Sequence, residues 1–231
     1  MKNQPCQNTT NDAKLISQPF FSIIITTYNR SQLLNKALNS LVLQTEEDWE
    51  AIIVDDGSTD DTYSQVLPFL TSYSKIKYLR KAHNGEAISK NEGVYSSGGK
   101  FISFLDSDDE YSPSHLENRK SILMQNPLVK FLYGGVKIIG NKFVPDRLNY
   151  GEKISLNNCV IGGSFFIDRN LFISLNGFSK IYLGTDADLF DRIKKMEVTV
   201  METSLPTYIY HHEIQDSITN KLYSDIQSFK E

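Results

Sequence analysis

The fold is decided by residues 101–110, Phe-Ile-Ser-Phe-Leu-Asp-Ser-Asp-Asp-Glu, where an apolar, aromatic-rich run turns abruptly into carboxylates. The apolar part predicts a buried strand. In an open α/β sheet, ligands bind beyond the carboxyl ends of the strands. Acids crowded there repel one another and lose hydration, so a cation or hydrogen-bond donors must compensate them. Asp106 and Asp108 are therefore candidate ligand-binding residues; the alternative is a solvated acidic turn before the helix that starts near Pro113.

Two other kinds of Asp-x-Asp site can be tested on the same residues. A calcium-binding loop needs Gly at its sixth position, where this chain has Tyr111, and a helix before it, where a strand is predicted. A phosphatase with an aspartate nucleophile resembles Asp-x-Asp-x-Thr/Val, and here the fifth residue is Glu110. Both alternatives fit the sequence poorly.

Three strand-and-helix units precede this stretch. The predicted strands span 20–27, 50–54, 76–80 and 101–105, and the helices between them start near Ser31, Ser58 and Glu86. Right-handed crossovers make this alternation a parallel, doubly wound sheet with all four carboxyl ends on one rim. Residues 26–29, 55–56 and 106–108 then lie along that rim.

The rim is expected to be strongly negative. From Glu46 to Asp61 the chain has eight acids and no Lys or Arg. Because hard carboxylate oxygens suit Mg²⁺ or Mn²⁺, a divalent cation is the simplest compensation.

The second half of the chain has a weaker pattern. We expect a helix after Pro113, strands at 129–133 and 136–139, a loop-rich segment at 140–158, a helix at 186–196, strands at 198–201 and 207–210, and a terminal helix. Residues 1–19 are polar and aperiodic, and we expect a flexible tail.

Composition excludes several classes of protein. The chain has 231 residues, 40% hydrophobic and 23% charged, which is typical of one soluble domain. A net charge of −4 argues against nucleic-acid binding. Two cysteines, Cys6 and Cys159, indicate a reducing compartment. No apolar run reaches the ~20 residues of a membrane span, and no signal peptide is recognisable. We therefore expect a cytoplasmic protein.

Taken together, the motifs resemble the family 2 inverting glycosyltransferases of the GT-A fold. The matching segments are 22–30, 54–60, 84–85, 91–93, 105–108, 177–178 and 186–189, with a histidine before Ser217-Ile218-Thr219. The resemblance implies an α/β fold with a mostly parallel, doubly wound central sheet and an added acceptor-side lobe. It also implies one domain over 20–231, in which 20–110 bind the nucleotide and 111–231 the acceptor.

The resemblance implies metal-dependent transfer of a sugar from a nucleotide diphosphate donor, which we expect to be a UDP-sugar. It assigns Tyr28 to stacking on the base, a contact worth roughly 1–3 kcal/mol in comparable stacking. Thr26 and Asp56 are expected to bond the base edge, and Asp106 the ribose or a metal-bound water. Asp108 is expected to ligate Mn²⁺ or Mg²⁺. For Tyr28 the alternative is core packing.

The remaining assignments lie near the C-terminus. His211 or His212 is expected to approach the metal, and the spacing to Ser217 does not choose between them. Asp186 is expected to be the catalytic base, with Asp188 as its rival; the alternative for Asp186 is a helix cap.

The acceptor side departs from the family pattern. The family usually has Glu-Asp at this position, and this chain has Thr185 followed by the aspartate. The acceptor preference of the family therefore does not transfer to this chain by analogy. The segment 140–163, which ends at Gly163, is expected to contact the acceptor.

Three functions remain open. The first is non-processive inverting transfer to a hydroxyl during glycan assembly, since the chain lacks Gln-x-x-Arg-Trp and its one tryptophan is Trp49. Its partners would be a nucleotide sugar and a glycan or lipid-linked glycan, with peripheral membrane contact, no integral membrane segment and no nucleic acid. The second is an inactive sugar-nucleotide-binding module, which Thr185 favours slightly. The third is phosphoryl transfer through an aspartyl phosphate at Asp106.

Overall fold

The computed structural model describes residues 18–147, 149, 152–181 and 183–213. Nearly all of the expected tail (1–19), the expected terminal helix and the Ser217-Ile218-Thr219 motif lie outside the described residues. Within the described part, no helix is long and apolar enough to cross a membrane.

The elements alternate regularly in the first half of the chain and irregularly in the second. In chain order they are β1 (Phe21–Thr27), α1 (Ser31–Val42), β2 (Trp49–Asp55), α2 (Thr62–Ser72), β3 (Ile76–Arg80), α3 (Glu86–Tyr95), β4 (Phe101–Phe104), β5 (Glu110–Tyr111), α4 (His115–Gln125), β6 (Val129–Gly140), β7 (Phe143–Pro145), β8 (Lys153–Ser155), β9 (Phe166–Asp168), α5 (Arg169–Ser174), α6 (Thr185–Lys194) and β10 (Thr199–His212). Two 3₁₀ turns, Leu156–Asn158 and Gly162–Ser164, precede β9.

The central sheet has eight strands in the order β3-β2-β1-β4-β9-β6-β10-β5. The strands β3, β2, β1 and β4 are mutually parallel, which confirms the predicted doubly wound sheet. Both β1 and β2 are buried at every position, because helices cover both faces.

Alternate residues of β1 supply two separate cores. Ile23 and Ile25 pack in the cluster that contains Leu34 and Leu38 of α1. Ile24 points to the opposite face and packs in the cluster that contains Val94 of α3. This two-sided burial places the carboxyl ends of β1, β2 and β4 at one rim.

The second half adds antiparallel pairing. The short strand β9 lies between β4 and β6 and runs antiparallel to both. The predicted strands at 129–133 and 136–139 are one strand, β6, which continues through Gly134 and Gly135 at φ 90° and 69°. The predicted strands at 198–201 and 207–210 are likewise one strand, β10, with an irregularity between Thr203 and Tyr208.

Two other local predictions needed correction, and one helix was not predicted. Helix α2 begins at Thr62 rather than Ser58, because the Ser58 hydroxyl accepts a hydrogen bond from the Asn29 N–H (2.9 Å) and so does not cap a helix. The segment at 140–158, expected to be loop-rich, contains the hairpin β7–β8. Helix α5 had no prediction; the Asp168 side chain caps it by accepting from the Asn170 and Leu171 N–H groups.

Candidate active site

The loops after β1 and β2 are joined at the rim of the sheet. The Asp56 N–H donates to the Thr27 carbonyl (2.9 Å). Asn29 adopts a left-handed conformation (φ 51°), which turns the chain sharply between β1 and α1. Tyr28, which precedes this turn, is thereby held at the open end of the sheet.

Asp56 is buried and receives donors on both carboxylate oxygens. The main-chain N–H groups of Asn84 (2.9 Å) and Gly85 (2.8 Å) donate to it, one to each oxygen. His83 Nδ1 lies 2.8 Å from Oδ2, and Lys81 Nζ lies 3.5 Å from Oδ1. Burial alone would raise the pKa of Asp56, but the Asn84 and Gly85 N–H groups, the Ser89 hydroxyl and His83 outweigh it and lower the pKa. Asp56 is therefore an ionised acceptor at the rim.

Tyr28 is not part of the core. Its side chain is 42% exposed, so the core-packing alternative is excluded. The ring stacks on His83, with centroids 4.1 Å apart and planes 21° from parallel. Thr26 is buried two residues earlier in β1. Tyr28, Asp56 and His83 therefore form one group, of which sequence reasoning had identified the first two.

Asp106 is paired with a buried lysine of α3. Lys90 Nζ lies 2.8 Å from Asp106 Oδ1 and 2.5 Å from Glu86 Oε1. Burial alone would lower the pKa of Lys90, but the two carboxylates outweigh burial and raise it. Lys90 therefore stays charged between α3 and the acidic loop.

Asp108 is paired with an arginine from the opposite side of the rim. Arg30 Nη1 lies 2.8 Å from Asp108 Oδ2. Burial and the charge of Asp106 raise the pKa of Asp108 in spite of this pair. A metal ion at Asp108 would compete with Arg30 for the carboxylate.

The expectation that the rim acids lack protein counter-ions is wrong. The rim acids described above pair with Lys81, Lys90 and Arg30. The acids at the opposite, amino end of β2 are paired as well: Lys120 lies 3.0 Å from Glu46, and Lys77 lies 2.8 Å from Glu50. These cations come from α4 and β3, outside the acidic segment, so the local sequence could not show them.

The third carboxylate of the loop, Asp109, is fully buried. It accepts from the Tyr208 hydroxyl (2.5 Å) and from the His211 N–H (2.8 Å). Burial and the charges of Asp106 and Asp108 raise its pKa well above the ordinary value. Asp109 therefore ties the acidic loop to β10.

Gly163, an acceptor-side candidate, lies against the same tyrosine. It is buried in the 3₁₀ turn Gly162–Ser164, and a Cβ at this position would run into the Tyr208 hydroxyl. Its lack of a side chain permits this close approach.

The two candidate histidines have different surroundings. His211 Nε2 lies 2.7 Å from Glu110 and 3.1 Å from Lys36 Nζ, and its Nδ1 lies 3.0 Å from Glu213. Both ring nitrogens of His211 are thus engaged with other side chains.

His212 has one engaged nitrogen. Its Nδ1 lies 2.7 Å from the Asn141 carbonyl, which can only accept, so Nδ1 carries the proton. Its Nε2 is buried and has no hydrogen-bond partner among the described residues. Nowhere in the described part do three or more His, Cys, Asp or Glu side chains converge on one possible metal position.

Asp186 is the second residue of α6, which has no side-chain cap. The N-cap residue of α6 is Gly184, so Asp186 is not the N-cap, although its carboxylate does accept from one N–H of the first turn. Its carboxylate accepts from the Ala187 N–H (2.8 Å) and from the Gly162 N–H (3.2 Å). Burial, with a smaller contribution from Asp106, raises the pKa of Asp186 in spite of these donors and of the Lys90 charge. The Gly162 N–H joins Asp186 to the 3₁₀ turn whose next residue, Gly163, lies against Tyr208.

Asp188, the rival base, is engaged in a structural network. It accepts from the Ser179 hydroxyl (2.7 Å) and from Arg192 Nε (3.0 Å). Burial alone would raise its pKa, but these two donors outweigh it and lower the pKa. Thr185, the departure from the family pattern, is partly buried at the start of the same helix.

Two of the sequence motifs bind each other. The Asn91 amide donates to the Phe178 carbonyl (2.9 Å) and accepts from the Phe178 N–H (2.8 Å). A Cβ on Gly177 would collide with Asn91. These motif residues therefore attach α3 to the turn before α6.

Sequence reasoning missed four residues of this site. Lys90 directly precedes the Asn91 motif, Asp109 continues the carboxylate run, and His83 lies beside Asn84-Gly85, so local signals existed for three of them. Tyr208 had none, because its partner is 99 positions away.

Comparisons with known proteins show which sequences and structures this chain resembles. The sequence model described as Glycosyl transferase family 2 matches residues 22–173. An Escherichia coli protein named UDP-Glc:alpha-D-GlcNAc-diphosphoundecaprenol beta-1,3-glucosyltransferase is 36% identical over 164 residues, covering 68% of this chain and 62% of the relative. A Campylobacter jejuni protein named GalNAc(5)-diNAcBac-PP-undecaprenol beta-1,3-glucosyltransferase is 30% identical over 214 residues, covering 87% and 67%.

Solved structures share the fold. Residues 1–349 of Staphylococcus aureus TarS in complex with UDP-GlcNAc superpose with a TM-score of 0.72 at 19% identity, covering 90% of this chain and 64% of that TarS fragment. The mannosyltransferase PcManGT from Pyrobaculum calidifontis, in complex with GDP-Man and Mn²⁺, gives 0.67 at 17% identity, covering 94% and 66%. The chain spans 62% of the E. coli relative and 20% of a Rickettsia conorii relative.

Proposed function

Because this chain belongs to glycosyl transferase family 2, we propose that it transfers a sugar from a nucleotide diphosphate donor to a hydroxyl of a lipid-linked glycan. Transfer is non-processive and inverts the anomeric carbon. The observation that carries this proposal is the partly buried Asp186 carboxylate, whose pKa is raised and which is held by the N–H groups of Gly162 and Ala187.

The donor base is proposed to lie at Tyr28 and Asp56. The exposed Tyr28 ring offers a stacking face, and the ionised Asp56 carboxylate accepts from an imide N–H. Uracil has that N–H, so UDP-sugars are the preferred donors. Thr26, buried at the end of β1, borders this site, and Asp106 is proposed to bond the ribose.

A Mn²⁺ or Mg²⁺ ion is proposed at Asp108 and His212, and the residues fit such an ion. The proton on His212 Nδ1 leaves a lone pair on the buried Nε2, and Asp108 supplies a hard oxygen. Two protein ligands suffice where substrate phosphates supply others. When bound, the ion neutralises charge on the leaving diphosphate. His211 is not proposed as a ligand, because both of its nitrogens have partners.

Asp186 is proposed as the base. Inverting transfer needs a carboxylate that takes the proton of the acceptor hydroxyl while its oxygen attacks the anomeric carbon in line. A raised pKa brings a carboxylate closer to the value of an effective base near neutral pH. The N–H groups of Gly162 and Ala187 hold the Asp186 carboxylate in place for this step.

The acceptor is proposed to be a glycan on a polyprenyl diphosphate. The E. coli and C. jejuni relatives are both named for undecaprenol-linked acceptors. Peripheral contact with the membrane surface follows from such an acceptor. On the acceptor side, Thr185 stays a candidate contact because it adjoins the proposed base.

The proposal is tested by transfer assays with Mn²⁺, a panel of UDP-, GDP- and ADP-sugars, and a polyprenyl-diphosphate-linked sugar. We expect transfer from a UDP-sugar and a product whose anomeric configuration, determined by NMR, is opposite to that of the donor. Retained configuration contradicts the inverting mechanism. UDP binding without hydrolysis or transfer indicates an inactive binding module. Turnover of phosphate esters with a phosphorylated aspartate indicates phosphoryl transfer.

A further inference from the structure

The His83 side chain contacts both groups that are proposed to recognise the donor base, the Tyr28 ring and the Asp56 carboxylate. Its ring stacks on Tyr28 at 4.1 Å between centroids, and its Nδ1 lies 2.8 Å from Asp56 Oδ2. A uracil bound at this site would need the same ring face and the same carboxylate. The His83 imidazole thus resembles uracil in two features: it is a flat ring, and it carries an N–H donor.

The stack leaves no room for a base between the two rings. A base inserted between them would require a separation of about 7 Å, twice a contact distance of ~3.5 Å. The centroids are 4.1 Å apart. A base that uses this face of Tyr28 must therefore displace His83.

His83 also limits the access of a base to the Asp56 carboxylate. Asp56 Oδ2 accepts from the Gly85 N–H at 2.8 Å and faces His83 Nδ1 at 2.8 Å. A carboxylate oxygen has two lone pairs; the Gly85 N–H takes one, and His83 Nδ1, which also lies 3.2 Å from the Asp56 main-chain oxygen, blocks access to the other. Departure of His83 frees one of them for an imide N–H.

His83 can leave without loosening the site. Its side chain is 54% exposed, so no core packing holds it. Asp56 remains fixed by the main-chain N–H groups of Asn84 and Gly85 after the imidazole moves. The site left behind is already formed.

From these contacts we infer that His83 is an intramolecular competitor of the donor base: it fills the base site in the donor-free protein and sets the affinity for the nucleotide. This inference rests on the nucleotide site proposed above. When a binding-competent state is populated only in part, the apparent dissociation constant rises by the inverse of that fraction. Removing His83 therefore tightens nucleotide binding.

The test is titration calorimetry of UDP and of inorganic pyrophosphate, at fixed Mn²⁺, on the wild type, His83→Ala and His83→Phe. We expect His83→Ala to bind UDP about three- to tenfold more tightly. The His83→Phe variant keeps the stack and loses the N–H donor, so its UDP affinity is expected to lie between the other two. Pyrophosphate has no base, and its affinity is expected to stay unchanged.

Equal or weaker UDP binding by His83→Ala overturns the inference and makes His83 a contact of the base or a bystander. An equal gain for pyrophosphate also overturns it, because the effect is then general electrostatics. If the wild type binds UDP and His83→Ala gains nothing, only this inference fails. If neither binds UDP, the proposed nucleotide site fails and the inference fails with it. Thermal unfolding checks that each variant is folded.

Discussion

The hydroxyl of Tyr208 donates a hydrogen bond of 2.5 Å to the buried carboxylate of Asp109, across 99 positions of sequence. This contact joins the acidic loop after β4 to the last described strand. The same tyrosine fills the space beside Gly163. The proposed nucleotide side and the proposed acceptor side of the candidate site therefore meet at the Tyr208 side chain.

Replacing Tyr208 by Phe is expected to lower the free energy of unfolding by about 1–3 kcal/mol, because the buried Asp109 carboxylate loses a donor. Urea denaturation followed by circular dichroism measures this. Tyr95→Phe is the matched control, since Tyr95 is 53% exposed, and its unfolding free energy should match the wild type. An unchanged midpoint for Tyr208→Phe would show that the hydrogen bond is unimportant for stability.

Replacing Asp186 by Asn is expected to lower sugar transfer at least ~10²-fold, because the amide cannot take the acceptor proton. The amide oxygen still accepts from the Gly162 N–H, so UDP binding is expected to persist. Steady-state transfer and UDP calorimetry measure the two properties. In the matched variant Asp188→Asn, transfer is expected to fall much less. If instead Asp188→Asn loses transfer and Asp186→Asn keeps it, the base is Asp188.

Replacing Asp108 by Ala is expected to weaken Mn²⁺-dependent UDP binding by at least ~10-fold, because a metal ligand is removed. Calorimetry with Mn²⁺ and with EDTA measures the metal-dependent part. The control is Asp48→Ala, a carboxylate that pairs with Lys120 at 3.1 Å outside the rim loops. UDP affinity that is the same with EDTA and with Mn²⁺ in the wild type would refute a metal-bound donor.

Replacing Glu50 by Gln is expected to flatten the acid side of the stability curve. Burial would raise the pKa of Glu50, but Lys77, the Gly98 N–H and Ser22 outweigh it and lower the pKa below 4.5. A lowered pKa in the folded state gives stability that is present above about pH 4.5 and is lost as the pH falls through the folded value.

Urea unfolding between pH 3 and pH 6 measures this effect. The wild type is expected to lose more stability than Glu50→Gln over that range. Parallel curves for the two proteins would show that Glu50 does not contribute to the acid sensitivity.

The half of the fold that was predicted correctly depends on local pattern. The strands β1, β2 and β4 are short apolar runs, helices follow β1, β2 and β3, and the handedness of the crossovers then determines strand order. The placement of β9 between β4 and β6 depends on packing across the molecule, so no local pattern indicated it. The continuity of β6 through Gly134 and Gly135 was hidden because two glycines ordinarily interrupt a strand.

The residues of the candidate site also fall into two groups, those that the local sequence indicated and those that it did not. Carboxylates at strand ends were visible because the sequence places them directly after apolar runs. Their counter-ions were not visible, since Arg30 lies 78 positions from Asp108. The resemblance to the family supplied Asp186 and its rival Asp188 as candidates, and only the structure shows that the Asp188 carboxylate is held by Arg192.

Main-chain N–H groups hold the Asp56 carboxylate, and this determines which positions of the loop at 83–85 can change in sequence. Any residue except proline offers an N–H at positions 84 and 85, although Gly85, at φ 96°, occupies a backbone conformation that favours glycine. The side chain at position 83 can therefore change without disturbing the carboxylate beside it. Natural variation or laboratory selection at that single position could retune donor affinity while the surrounding architecture stays the same.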